Sequence, residues 1–404
     1  MIFNTAWFLI FFAGFYVVFH LVPTPRLRFL YVLAASAIFH YHFAGPAGIR
    51  PIIVMGVITY AVGLTLPRLP SDTKARPLAF AAGLLVPVLG LVFYKYRGLL
   101  LGSLATVNNG PALAVWTPRS AGPALPLAIS FFTFEFVHYL TDVYHGSPPI
   151  RNPLKFAFFA IFFPSIVSGP IKRFQPFLAQ VKDGLARPSL ERSLSGAAQV
   201  LVGFFKKLVV ADAAAALVEL LERYPSPSRA TVATMIFLMS VRILFDFSGY
   251  SDIAIGLGRL IGLELPANFR FPYAARNISE FWRRWHMSLS SWIRDYVYVP
   301  LGGGHTSTPR KTLNLAATMF ICGLWHGPAW HFGLWGLYHG AGLAVHGLWE
   351  RSAFGQRMAP RRATRFLGIV MTDLFVAYGW LLFFYPVASV VRYSRILLGF
   401  PEAP

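Results

Sequence analysis

Among the side chains of this sequence, histidine is the one best suited to moving protons. Three stand close together in "GLWHGPAWHFGLWGLYHG", Gly323 to Gly340: His326, His331 and His339. A metal site is one chemistry such a group could serve, but the spacing argues against it. At ~100° per residue, His331 and His339 each lie about 140° around a helix from His326, in opposite senses. No His-Glu-x-x-His occurs, and no carboxylate stands within this stretch to complete a ligand set. His339 and His346 share a helical face, but they make only a pair. Other catalytic patterns are also missing. There is no Gly-x-Ser-x-Gly elbow, and "LGGG" at Leu301 to Gly304 lacks the Gly-Lys-Ser/Thr ending of a phosphate loop.

A histidine acting alone remains. Gly327-Pro328 should end a helix at His326, because proline lacks an N–H and clashes with the preceding turn. Pro328 can then open the next helix in its first turn. A titratable ring at a helix break inside an apolar region can exchange a proton near neutral pH. On position alone, a catalytic histidine and a neutral one hydrogen-bonded between helices fit His326 and His286 equally. His331 and His339 read more as packing, and His20, His40, His42, His138, His145, His305 and His346 as packed or surface residues.

His286 sits in a stretch of higher polarity, Arg242 to Gly304. Within it "SEFWRRWHMSLSSWIRDY" reads as one helix, with Ser279 as N-cap and Glu280 in the first turn. Phe281, Trp285, Leu289 and Trp292 form an apolar stripe, and Arg283, Arg284, Ser288, Ser291 and Arg294 lie largely elsewhere, as in a helix lying in a membrane interface. Asp246 and Asp252 flank "FSGYS" and are expected to pair with Arg242, Arg259 or Arg276, holding helices together.

The elements that must position these residues are membrane helices. Of 404 residues 56% are hydrophobic and 13% charged, against about 25% charged in soluble domains. Apolar runs recur, among them Ile2 to Val22, Phe29 to Phe43, Pro51 to Leu66, Leu78 to Val92, Leu125 to Leu140, Phe156 to Val167, Thr231 to Leu244, Leu313 to Leu324 and Phe366 to Val387. They predict about nine to eleven membrane segments, some tilted or re-entrant. The first run lacks a basic leader and a small-residue cleavage site, so it is expected to remain as the first helix. The net charge of +20 would suggest nucleic acid in a soluble protein. Here the basic residues fall in short connections, such as Arg68, Lys74 and Arg76, Lys172 and Arg173, and Arg351 to Arg365, which fits membrane orientation and anionic headgroups. Gly98 to Pro123 reads as a loop, and Lys172 to Ser195 as a surface loop with a short helix. Cys322, the single cysteine, reads as a small core residue.

Five stretches resemble the membrane-bound O-acyltransferase family: "SFFTFEFVHYLTDVYHG" (Ser130 to Gly146), "FFPSIVSGPIKRF" (Phe162 to Phe174), "DFSGYSDIAIGLGRLIG" (Asp246 to Gly262), "FWRRWHMSLSSWIRDYVYVPLGG" (Phe281 to Gly303) and "GLWHG" (Gly323 to Gly327). The branch resembled includes alginate O-acetyltransferases and teichoic-acid D-alanyltransferases. The resemblance implies one all-α transmembrane domain over residues 1–404, with its motif core at about 130–350, and a ring of helices around a central tunnel. By motif match His326 takes the catalytic role and His286 is the second functional position. Trp325, Trp285, Arg284, Asp246, Ser248, Tyr250, Asp252 and His339 become candidates for lining the tunnel or substrate.

The implied reaction moves an acyl group, acetyl by preference, from a cytoplasmic thioester to a hydroxyl of an exported cell-envelope polysaccharide or of a secreted partner acyltransferase. D-alanyl transfer towards teichoic acid is the alternative. The donor would be acetyl-coenzyme A or an acyl-carrier phosphopantetheine, acting as co-substrate with no tightly bound cofactor and no metal. The expected setting is the bacterial cytoplasmic (inner) membrane. The expected partners are the lipid bilayer, a secreted or membrane-anchored acyltransferase and an acyl-carrier protein, with no nucleic acid. A transporter or flippase is the reading of another class. It often predicts symmetry between halves, and none is visible here.

Overall fold

The apolar runs become helices behind side-chain caps. Thr5 accepts the Phe8 amide at the start of α1 (Ala6–Leu21), and Thr24 accepts the Leu27 amide at the start of α2 (Pro25–Thr65). A computed structural model of the chain describes residues 2–109, 125–181, 184–304, 306–357 and 362–400. Among these residues all regular structure is helical, in two compact units.

The first unit is Met1–Leu201 with Asp252–Pro266. It holds α1, α2, α3 (Ala75–Leu91), α4 (Arg97–Asn109), α5 (Ile129–Tyr144), α6 (Pro153–Ile161), α7 (Phe174–Ala179) and most of α8 (Leu190–Phe204). The second is Val202–Ser251 with Ala267–Pro404. It holds α9 (Asp212–Glu222), most of α10 (Arg229–Leu260), α11 (Ile278–Trp282), α12 (Met287–Ile293), α13 (Thr308–His326), α14 (Trp330–Arg351), α15 (Ala353–Arg357), α16 (Arg362–Phe384) and α17 (Val387–Leu398).

Among the described residues four helices are long and apolar enough to cross a membrane: Pro25–Arg68, Ala75–Leu104, Arg229–Leu260 and Thr364–Phe384. Ala6–Leu21 is apolar but shorter. α2 would be far too long for one crossing, and it bends at Gly45, whose φ of 63° takes it out of the helical region just before Pro46. Each arm then runs roughly 20 residues, about 30 Å, the thickness of a hydrocarbon layer. The two apolar runs on either side of Gly45 are thus two arms of one bent element.

Several local expectations need correction. Gly98 to Pro123 is not all loop. One five-residue π-helical segment (Val92–Tyr96) joins α3 to α4, and the apolar Leu99, Leu100, Leu101 and Leu104 carry the helix on to Asn109. The remainder, 110–123, lies outside the described residues, as do His305 and residues 358–361 of the basic stretch. The run Phe156 to Val167 stays helical only to Ile161, because Pro164 disfavours helix before it. Lys172 is not on the surface. It is 1% exposed and ion-paired with Glu135 of α5, between the rings of Phe159 and Phe177. Two of the motif stretches are thereby tied together inside the first unit.

The glycines of "DFSGYSDIAIG" serve close packing. A Cβ on Gly249 would meet the Gly203 carbonyl at 2.8 Å, and one on Gly256 would meet the Gly196 carbonyl at 2.6 Å. Both pairs recur at seven-residue spacing, so α8 and α10 approach backbone to backbone.

Candidate active site

His326 is set by the α13–α14 hairpin. α13 ends on His326, and the Gly327 amide turns back to the Leu324 carbonyl, as the Gly-Pro pair predicts. Pro328 does not open the next helix. Extended Ala329 follows it, and α14 begins at Trp330. Glycines let the two helices close on each other: a Cβ on Gly336 would overlap the Met319 carbonyl, and one on Gly323 the Phe332 carbonyl. The half-buried imidazole of His326 is walled edge-to-face by Trp325, Trp335 and Phe383, with ring centroids at 4.9, 5.2 and 5.0 Å. Flat aromatic walls fix the ring plane and shed water.

His286 is held by other means. The stretch around it is not one helix. Asn277, not Ser279, caps α11 by accepting the Glu280 amide, and α11 stops at Trp282. His286 has left-handed backbone angles, φ 41° and ψ 54°, and α12 starts after it. That conformation costs an L residue about 1–2 kcal/mol, and such strain concentrates at functional sites.

Two clamps hold the turn. Asn268, 1% exposed, accepts from the Ser288 hydroxyl (2.6 Å) and amide (3.3 Å) and donates to the Ser251 hydroxyl (3.1 Å), and its carbonyl accepts the Met287 amide. Glu280 accepts from Arg276 and Arg284. Burial pushes its carboxyl up, but the bonds from Arg276 and Arg284 outweigh this and hold it at about 2.

The His286 ring is fully buried, edge-on to Phe247 at 4.5 Å and to Trp325 at 5.9 Å. Trp325 therefore touches both histidines. Burial, and secondarily His326, hold His286 well below the usual imidazole range, so the ring is neutral. Neither of its nitrogens has a hydrogen-bond partner among the described residues. Buried unpaired polar atoms cost about 1–3 kcal/mol each, and a fold keeps such groups for a reason other than packing.

The other candidates divide. Trp325 belongs with the two histidines. His339 lies one aromatic layer away, at 4.8 Å from Trp335, fully buried among Phe281, Trp282 and Phe375. Trp285 is packed on Phe281 and Trp380. Arg284 is engaged by Glu280 and the Phe271 carbonyl. Ser248 and Tyr250 are buried on α10. His331 turns its Nδ1 to the Leu382 carbonyl.

The expected partner of Asp246 needs correction. Asp246 is paired with Lys207 at 2.6 Å, and Lys207 also holds Asp212. Arg276 is committed to Glu280, and Arg242 stacks over Phe384. Asp252 accepts from Gln199, whose amide oxygen accepts from Arg259. Asn268 was missed by sequence reasoning. It lies in "LPANFRF", which matches no catalytic pattern, and its polar type inside an apolar, proline-flanked loop is its only signal. Among the described residues no three His, Cys, Asp or Glu side chains are placed to hold a metal ion.

The fold is that of an α-helical integral membrane protein, and its distinctive site is a pair of histidines joined through a tryptophan. The model of the membrane-bound O-acyltransferase family matches residues 141–390. A probable alginate O-acetylase of Pseudomonas aeruginosa is 34% identical over 95% of this chain and 72% of its own length. A peptidoglycan O-acetyltransferase of Helicobacter pylori is 30% identical over 95% of this chain and 77% of its own. A teichoic acid D-alanyltransferase of Bacillus subtilis is 30% identical over 64% of this chain and 68% of its own. The chain belongs to the membrane-bound O-acyltransferase family, and it is an acyltransferase. The transporter reading falls with that membership.

Proposed function

We propose that the chain transfers an acetyl group from a thioester donor to a hydroxyl of a cell-envelope polysaccharide, or to a secreted acyltransferase that completes the delivery, in the bacterial cytoplasmic membrane. The observation that carries this reading is His326, half-buried at a helix break and braced by three aromatic rings, beside a buried neutral His286. His326 takes the proton of the acceptor hydroxyl as its oxygen attacks the thioester carbonyl. The tetrahedral adduct collapses, the C–S bond breaks, and the proton passes from His326 to the departing thiolate. His286 is the candidate donor to the oxyanion, since a neutral imidazole offers one N–H. Trp325, in contact with both rings, sets their spacing.

Acetyl is favoured over D-alanyl because the alginate O-acetylase and the peptidoglycan O-acetyltransferase named above align over 95% of the chain, against 64% for the D-alanyltransferase. The donor is acetyl-coenzyme A or an acyl-carrier phosphopantetheine, drawn to the short basic connections. The test is purified protein supplied with radiolabelled acetyl-coenzyme A. His326-dependent hydrolysis or transfer supports the reading, and its absence with both donor types overturns it.

A further inference from the structure

The elbow of α2 borders a cavity in the first unit, lined by none of the residues named for the chemistry above. Its volume is about 320 Å³ and its walls are almost wholly apolar, from both arms of α2, α5 and α6. One polar group faces it near the bend. His40 is 4% exposed, lies edge-on to Phe132 at 5.3 Å, and has no hydrogen-bond partner on either ring nitrogen among the described residues. At the far end Tyr60 is already committed, donating to the Arg151 carbonyl at 2.6 Å. Along the rim Ile53 and Val57 are 57% and 61% exposed, on a helix that qualifies as a membrane span. The opening therefore faces hydrocarbon. Arg50, next to the lining residue Ile49, is exposed at the bend.

These features fit one occupant. We propose that the cavity binds one acyl chain of a bilayer phospholipid. The chain lies along α2 from His40 to Tyr60, its ester carbonyl accepts from the His40 ring, and its phosphate is held near Arg50. The His40-to-Tyr60 direction follows α2's second arm from Ile49 to Tyr60, roughly 16 Å at 1.5 Å per residue. Buried imidazole nitrogens need partners that apolar walls cannot supply. A phospholipid ester is the hydrogen-bond acceptor that a surrounding bilayer brings to this depth. Gly56 keeps the space open: a Cβ there would make ordinary contact with Phe136 at 3.4 Å, whereas a longer side chain would enter the cavity.

The full chain is reconstituted in vesicles of phosphatidylethanolamine and phosphatidylglycerol doped with a phosphatidylethanolamine carrying a diazirine on one acyl chain. A parallel arm uses the free diazirine fatty acid. After illumination, labelled peptides are mapped by mass spectrometry. Phospholipid label should concentrate in residues 49–60 and 153–161. Gly56→Leu should reduce that label about tenfold, the effect of ~1.4 kcal/mol of overpacking. The lipid-facing surface of α16 serves as internal control and should keep its label. His40→Leu should reduce cavity label about fivefold, for one lost hydrogen bond, and His40→Gln should restore it. A melting temperature for each variant separates loss of binding from loss of fold. Cavity label unchanged by Gly56→Leu, label spread evenly over α16, or label from the free acid alone overturns the proposal. None of these readouts depends on acyl transfer.

Discussion

His326 and His286 share a neighbour but are built in opposite ways. His326 ends a regular helix, has an unstrained backbone and is only half-buried. His286 is fully buried, sits in the left-handed region and is held by Asn268 and the Glu280 clamp. A group that must meet two substrates needs a face open to them. A group that must present one fixed N–H needs a rigid mount, and backbone strain is tolerable where surrounding bonds over-determine it. On the proposed function, proton exchange falls to the first ring and fixed polarity to the second.

The sharpest way to break that contrast is at His326. His326→Ala should lower acyl transfer about a thousandfold, the usual worth of a general base, with an unchanged melting temperature. Transfer within tenfold of the parent would move the base elsewhere. At His286, ring and backbone can be parted. His286→Ala should lose activity and, keeping a Cβ in the left-handed region, gain no stability from the change. His286→Gly should be about 1–2 kcal/mol more stable than the alanine variant in thermal melts while staying inactive. An active glycine variant would show that the fold of the turn, not the imidazole, is what matters.

Asn268→Ala tests the mount. It leaves the buried Ser251 and Ser288 hydroxyls short of a partner, and should cost about 1–3 kcal/mol in thermal melts. Its kcat should fall more than its KM changes, because His286 is displaced while the substrate path is not. A pure KM effect would contradict that role. The smallest effect belongs to Glu280. Its carboxyl sits at about 2 in the folded chain against an ordinary 4.5. Its contribution is therefore complete above the ordinary value and is lost as pH falls from there towards 2. Melting curves should show the parent losing stability in that window and Glu280→Gln losing less. Parallel curves would mean the clamp holds without its charge.

The sequence marks the two rings differently too. His326 is legible because Gly-Pro is a helix breaker by covalent structure, whatever the tertiary setting. The interruption at His286 is not legible. Phe281, Trp285, Leu289 and Trp292 are all buried, so the helical period survives across a break that uses one left-handed residue with no glycine to announce it. The membrane class follows from composition alone. The Gly45 elbow is visible as Gly-Pro between two apolar runs. Partners of charged groups are hidden because they lie on other helices. Asp246 reaches Lys207, which precedes α10, and nothing in local spacing points there. Asn268 was overlooked for the same reason: its value lies in what two remote segments, at Ser251 and at Met287–Ser288, bring to it.

The close glycine packing of α13 on α14 bears on how variation in this protein should be read. Any side chain at Gly323 or Gly336 would drive a backbone carbonyl away and take the His326 end of the hairpin with it. In a mutational scan scored by growth or product alone, these glycines would be indistinguishable from His326. Scored also for protein abundance in the membrane, they would separate: variants at the glycines would vanish from the bilayer, and variants at His326 would remain there, silent.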